Sequence, residues 1–216
     1  MLKKNIENNI YLIFFSILLS LYILEAGLIL FDNYQKKEEI SKKIKLYKEE
    51  TGKDYDTRKK IKVYRELKKK NKRIGVSYHR KYFKKNNEIF PLSGLSHAKT
   101  INCNEGGFFS LYESDRYGFN NPDKEWNKKN IEFLLVGDSY GHGACVNESN
   151  TIAGNLRKFN QNKFGIINLS YNGNGTLTEY AGLREYMSDL KVKKVIWLFF
   201  HNDLLNLSDE INNPIL

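Results

Sequence analysis

The sequence predicts an α/β domain built on a parallel β-sheet and preceded by one transmembrane helix. Two observations indicate this architecture. A long apolar segment near the N-terminus has the length of a membrane span, and short apolar runs alternate with helix-like segments after residue 130. Strands that alternate with helices form βαβ units, whose parallel sheet is covered by helices on both faces. The chain has 216 residues, which is enough for one such domain with a hydrophobic core.

The predicted membrane anchor is residues 10–31 (IYLIFFSILLSLYILEAGLILF), which follow a short N-terminal flank, residues 1–9. A helix rises about 1.5 Å per residue, so this segment crosses a hydrocarbon core of about 30 Å. A cleaved signal peptide is the alternative, but the apolar run is long for one and no A-x-A cleavage site follows it. Glu25 lies toward the C-terminal end of the span, where it reaches the interface or acts as a functional intramembrane carboxylate.

Residues 32–85 are rich in lysine and contain most of the excess positive charge of a chain whose net charge is +10. Their apolar residues have the spacing of surface helices, and residues 51–54 (TGKD) interrupt them, so we predict a helical stalk. Lysines beside a membrane attract anionic lipid. A nucleic-acid partner is not predicted, because no DNA- or RNA-binding motif accompanies the charge. By the positive-inside rule, these lysines place the C-terminal part in the cytoplasm.

Residues 86–216 are the predicted α/β domain. Residues 73 to about 125 are rich in Gly, Asn, Ser and Tyr, and we expect short strands and loops there. A sheet of only three strands would leave an apolar edge exposed. The alternating elements that follow are strands at 131–136, 164–169 and 192–200 and helices at 151–159 and 177–190.

The two cysteines, Cys103 and Cys145, lie far apart in the sequence. Two such residues specify no disulfide framework and match no zinc pattern, and either could be a small buried apolar side chain. Cysteine usage therefore does not indicate the redox compartment of this chain.

Small and amide residues follow each of the three predicted strands. The first strand leads into Gly137-Asp138-Ser139, and because parallel strands end at the same edge of a sheet, we expect the three loops to meet there. A serine at a strand-to-helix turn is exposed and close to free backbone N–H groups, which suits a nucleophile. A phosphate-binding loop is the alternative, but neither G-x-G-x-x-G nor G-x-x-x-x-G-K-[ST] is present.

The ordered set GDS at 137–139, NLSYNG at 168–173 and ND at 202–203 resembles blocks I, II and III of the SGNH (GDSL-like) hydrolase superfamily. The resemblance covers roughly residues 90–216. It is closer still to a bacterial membrane-anchored subgroup, through the flanking phrases at 115–122, 143–146 and 197–204.

This resemblance implies a flavodoxin-like three-layer parallel sheet and a serine esterase that cleaves O-acyl esters through an acyl-serine intermediate. It implies Ser139 as the nucleophile, with an oxyanion hole formed by the N–H groups of Ser139 and Gly173 and the side-chain amide of Asn202. Asp138 would hold the loop. His201 stands directly before Asn202, where the third block usually has a glycine, so the pose of Asn202 is open.

The D-x-x-H block, which supplies the general base in this superfamily, does not occur after Asn202. Without a base, a serine hydroxyl is a poor nucleophile at neutral pH. We therefore expect the base to lie beyond Leu216 in a longer protein, and residues 1–216 alone to be inactive. The alternative bases are the histidines of the chain, His142, His201, His79 and His97.

Three functions follow from these patterns. The first is ester hydrolysis, or O-acyl transfer through the same intermediate, on acylated carbohydrate, lipid or another cell-envelope substrate, with no metal or organic cofactor. The second is a non-catalytic envelope-binding protein on the same scaffold. The third, compatible with both, is attachment of the lysine-rich stalk to anionic lipid. The resemblance implies that the domain lies outside the cytoplasmic membrane, whereas the lysines after the span place it in the cytoplasm. The sequence does not indicate the oligomeric state.

Overall fold

The structure is a computed structural model that describes residues 2–78, 89–161, 163–188, 190–213 and 215. It is a mixed α/β chain, and it divides into two compact units, Met1–Tyr55 and Asp56–Leu216. We describe each unit by itself.

The first unit is a single helix, α1 (Leu2–Thr51). By its length and composition, the apolar part of this helix could cross a membrane, as the sequence predicts. The helix continues through the predicted boundary at residue 31, and surface ion pairs four residues apart, such as Lys36–Asp32 at 2.6 Å, support its charged half. It ends where Gly52 adopts a φ of +68°, at the break that residues 51–54 predict.

The second unit opens with helix α2 (Lys60–Lys70), which packs on a small three-stranded sheet. Val63 of α2 is buried against Ile74 and Ile101. Residues 56–78 therefore belong to this unit, whereas the predicted stalk extends to residue 85. The apolar stripe of α2 is covered by a sheet that the sequence did not reveal. This sheet has the order β1-β2-β3 and consists of β1 (Ile74–Val76), β2 (Lys99–Ile101) and β3 (Leu111–Glu113).

The larger sheet of the second unit is parallel, as predicted, and has the order β5-β4-β6. Helices connect its strands, so each crossover is a βαβ unit. The strands are β4 (Ile131–Gly137), β5 (Gly165–Asn168) and β6 (Val192–Leu198). The helices are α3 (Ser139–His142), α4 (Ile152–Phe159), α5 (Thr176–Met187) and α6 (Asn202–Glu210).

Both faces of the β5-β4-β6 sheet are apolar. Leu134 and Ile167 belong to one cluster, with Leu183 of α5, whereas the adjacent Leu135 packs in another with Ala153 of α4. Successive strand residues point to opposite faces, so a continuous apolar run such as IEFLLV fills both clusters. The free edge of β6 is partly exposed and apolar, as expected for a sheet of three strands.

Candidate functional site

A cavity of about 720 Å³ lies in the second unit, next to the ends of β4, β5 and β6. Ser139, Gly173 and Asn202 all line it, although they come from three different loops. The parallel arrangement explains this, because strands that run in the same direction deliver their following loops to the same edge. Two of the other lining residues are charged, Lys60 and Glu105, and the rest are neutral: Ser77, Tyr78, Cys103, Tyr140, Gly143, Ala144, Val146, Asn150, Thr151, Ile152 and Asn172.

Ser139 begins the short helix α3 directly after β4. Asp138 caps this helix, because its Oδ1 accepts a hydrogen bond from the Tyr140 N–H at 3.0 Å. The Ser139 hydroxyl donates to Asp138 Oδ2 at 3.3 Å. Gly141 allows α3 to sit against the second loop, since a Cβ there would lie 2.2 Å from Ser170 Oγ. The hydroxyl is thus placed at the end of the strand and only partly buried.

Asn202 begins α6 and faces Asp138. Its Nδ2 donates to Asp138 Oδ2 at 2.8 Å, so one carboxylate oxygen accepts from both Asn202 and Ser139. Asp138 is 1% exposed, and a buried carboxylate that accepts several hydrogen bonds holds its donors in place. An amide has two N–H donors, so Asn202 has a second one for a ligand oxygen. His201 in place of glycine has not removed Asn202 from the cavity.

Gly173 lies in a tight turn after β5. The turn is closed by the Asn174 N–H, which donates to the Tyr171 carbonyl at 3.2 Å, and Gly173 has a φ of +74° that favours glycine. Asn172 fixes the turn from the other side, because its Nδ2 donates to Ser77 Oγ at 2.7 Å and to Asn102 Oδ1 at 3.0 Å. The small sheet therefore positions the loop that contains Gly173.

His142 is buried and does not line the cavity. Its Nδ1 lies 3.2 Å from the Ser170 carbonyl oxygen, and its ring contacts those of Tyr112 and Tyr171 at centroid distances of 5.3 and 5.0 Å. This packing is that of a core histidine.

The other histidines are also absent from the cavity lining, as far as the described residues go. His201 is exposed and packs its ring on Phe200, and His97 is an exposed residue in a turn near the small sheet. His79 lies outside the described residues. None of the described histidines therefore shares the lining of this cavity with Ser139.

The structure contains a disulfide between Cys103 and Cys145, which are 42 residues apart. It joins the loop after β2 to the loop after α3, and Cys103 lines the cavity. Beside it, Asn102 Nδ2 donates to the Gly143 carbonyl at 3.3 Å. The sequence held no spacing signal for this bond, because the two cysteines meet only when the two sheets pack.

A group of buried carboxylates lies behind the cavity and was also not foreseen. Glu179 is 1% exposed, accepts a hydrogen bond from Trp197 Nε1 at 2.6 Å, and has its pKa raised by burial to about 7. Burial also raises the pKa of Asp203, whose Oδ2 accepts from the Phe200 N–H. Glu210 caps α5 instead, accepting from the Gly175 N–H at 2.7 Å.

The phrase at 115–122, which contributes to the resemblance, lies away from the cavity and organises the core. The Asn121 amide donates to the Asn168 carbonyl at 3.0 Å, which ties the loop to β5. Arg157 donates to Asn121 Oδ1 at 2.6 Å from the opposite side. The Asp115 carboxylate accepts four hydrogen bonds, from Tyr117 N, Phe119 N, Asn121 Nδ2 and Trp126 Nε1.

No protein-family model, curated protein or solved structure matches this chain. The described residues contain no group of three or more His, Cys, Asp or Glu side chains arranged to hold a metal ion. The cavity lining includes a serine, a glycine in a tight turn and an asparagine, which are residue types that acyl transfer uses for a nucleophile and an oxyanion hole.

Proposed function

We propose that this chain is a membrane-anchored serine hydrolase of the SGNH type, which cleaves O-acyl esters with Ser139 as the nucleophile. The observation that carries the proposal is that Ser139, Gly173 and Asn202 line one cavity beside the ends of three parallel strands. These three residues are up to 63 positions apart in the sequence, and the parallel strands bring the loops that contain them to the same edge of the sheet.

The strand order supports the flavodoxin-like part of the proposal. In the β5-β4-β6 sheet the second strand along the chain is followed by the first and then the third, which is how the flavodoxin-like order begins. Ligands in such sheets bind at the switch point, between the first and third strands. Ser139 follows the first of these strands and Asn202 follows the third.

In the proposed reaction, Ser139 Oγ attacks the ester carbonyl carbon and forms a tetrahedral oxyanion. The N–H groups of Ser139 and Gly173 and the second N–H of Asn202 stabilise its charge, and the alcohol then leaves with a proton. Water, or a sugar hydroxyl in an acyltransferase, attacks the acyl-serine and frees the enzyme. By the same resemblance, a histidine of the D-x-x-H type would accept the proton of Ser139, and none of the described histidines lines the cavity.

Labelling with a fluorophosphonate tests this proposal on the product of the whole gene. We expect covalent labelling that is lost in Ser139→Ala and retained in Ser149→Ala, a matched change at an exposed serine a few residues away. Labelling that survives Ser139→Ala would refute the assignment of the nucleophile. An intact D-x-x-H block with no labelling at all would refute the hydrolase.

A non-catalytic binding protein on the same scaffold is the second candidate. The observation that favours it is that none of the described histidines reaches the cavity. It predicts that the product of the whole gene is not labelled, yet binds an acylated saccharide equally well with Ser139 or with alanine at that position.

We also propose that the second unit lies on the extracytoplasmic side of the membrane. The Cys103–Cys145 disulfide supports this side, because disulfides persist in oxidising compartments and are rare in the cytosol. The lysines after the span favour the opposite side. Protease treatment of spheroplasts should digest the second unit while the apolar part of α1 stays protected. Protection of both, together with cysteines that react with a thiol reagent in intact cells, would refute this orientation.

A further inference from the structure

The cavity that contains Ser139 has two charged residues in its wall, Lys60 and Glu105. Glu105 is exposed to solvent, whereas Lys60, at the start of α2, is only half-exposed. The Lys60 ammonium makes no hydrogen bond or ion pair with any residue in the described part of the chain. Lys60 is thus the one cation among the described lining residues, which apart from it and the solvent-exposed Glu105 are neutral.

Lys60 differs in this from Lys128, another partly buried lysine of the unit. The Lys128 side chain is 22% exposed and pairs with the Glu125 carboxylate at 2.9 Å, so its charge is compensated within the protein. Burial lowers the pKa of Lys60, and no carboxylate offsets the effect. An ammonium that is partly removed from water without a counter-ion is destabilised, and an anion that binds beside it removes that penalty.

We propose that Lys60 recognises a carboxylate or phosphate on the part of the substrate that does not react, so that the cavity selects acylated polymers that carry negative charge. This inference rests on the proposed function for the ester itself. The volume of about 720 Å³ exceeds what a short acyl group fills, and a cavity of this size holds a ligand with the dimensions of a sugar ring or two. The remaining lining is polar enough for hydroxyl groups, with Asn150, Thr151, Asn172 and Tyr78 among its residues.

Equilibrium binding to the Ser139→Ala form of the whole-gene product tests the inference without requiring catalysis. Calorimetry would compare three probes: an oligogalacturonate, an oligomer of glycerol phosphate and a neutral oligogalactose. We expect one of the two anionic probes to bind, and Lys60→Gln to weaken that binding about tenfold or more, because a charge-assisted hydrogen bond is lost. The probe that binds distinguishes a carboxylate from a phosphate.

Two further variants serve as controls. Lys62→Gln removes the same charge from an exposed position two residues away on α2, and we expect binding to change less than twofold. Lys60→Arg keeps the cation and should retain the preference for the anionic probe, which separates loss of charge from loss of folding.

Binding of the anionic probe that is equal in Lys60→Gln and Lys62→Gln would overturn the inference, and so would the failure of both anionic probes to bind more tightly than the neutral one. These outcomes are independent of fluorophosphonate labelling. If Ser139 is labelled but neither anionic probe is preferred, only the inference about Lys60 is refuted. If an anionic probe is preferred but Ser139 is not labelled, only the hydrolase proposal is refuted.

Discussion

Replacing Glu179 by glutamine should stabilise the second unit at alkaline pH and leave it unchanged at acidic pH. Glu179 is 1% exposed, and burial raises its pKa from the ordinary 4.5 to about 7. Its Oε2 accepts a hydrogen bond from Trp197 Nε1 at 2.6 Å, which the amide oxygen of glutamine can also accept. The substitution therefore removes a desolvated charge and keeps the hydrogen bond.

The sign follows from proton binding. The folded protein holds the Glu179 proton more tightly than the unfolded chain, so the contribution of this group to stability is present below pH 4.5 and is lost as the pH rises to about 7. A pKa difference of this size corresponds to about 3 kcal/mol, an upper value because the unit can relax around the charge. At pH 8 we expect Glu179→Gln to be more stable by up to about 3 kcal/mol, and at pH 4.5 to match the wild type.

Urea unfolding followed by tryptophan fluorescence in detergent measures this difference, since Trp197 contacts Glu179 directly. Glu185→Gln is the matched control, because Glu185 is exposed on the same helix and should show no such dependence on pH. An equal loss of stability in Glu179→Gln at both pH values would refute the reasoning, because removal of a desolvated charge predicts a difference only at the higher pH.

Three other changes have expected outcomes. Cys145→Ser opens a disulfide that closes a loop of 42 residues, and should lower the free energy of unfolding by about 4 kcal/mol, seen as a shift of the urea midpoint that reduction of the wild type reproduces. Asn202→Ala should lower kcat for ester hydrolysis by the whole-gene product by about 10²–10³-fold with little change in KM; a change in KM alone would contradict the oxyanion role. Gly173→Ala places a side chain at a φ of +74°, and should cost about 1 kcal/mol of stability; an unchanged thermal midpoint would show that the turn relaxes freely.

The alternating part of the second unit was predicted closely from residue patterns. The run from Ile131 that the sequence marks as a strand is β4, and the predicted helices at 151–159 and 177–190 correspond to α4 and α5. These elements have continuous apolar runs or helical spacing that neighbouring residues fully determine. The boundary between the membrane anchor and the stalk was predicted less well. Helix α1 crosses the predicted border at residue 31, because a charged and an apolar stretch can share one helix.

The part before β4 was predicted only as short strands and loops, without the positions or the pairing of the strands. Its strands β1, β2 and β3 have three residues each, which is too short for any periodic signal. They are stable only because they pair with residues 10 to 25 positions away in the sequence and because their sheet packs on α2. The sequence assigned residues 32–85 to a stalk of surface helices, and Val63 within that range is a core residue in the structure.

The amino-acid sequence alone determined the apolar N-terminal helix, the strand–helix alternation and the residues at the strand ends, because each depends on contacts between near neighbours. Only the tertiary structure decided that Cys103 meets Cys145, that His142 is enclosed by aromatic rings, and that Lys60 faces the same cavity as Ser139. Burial and pairing of that kind arise between segments distant along the chain, where the energy of a side chain depends on which surface the fold brings against it.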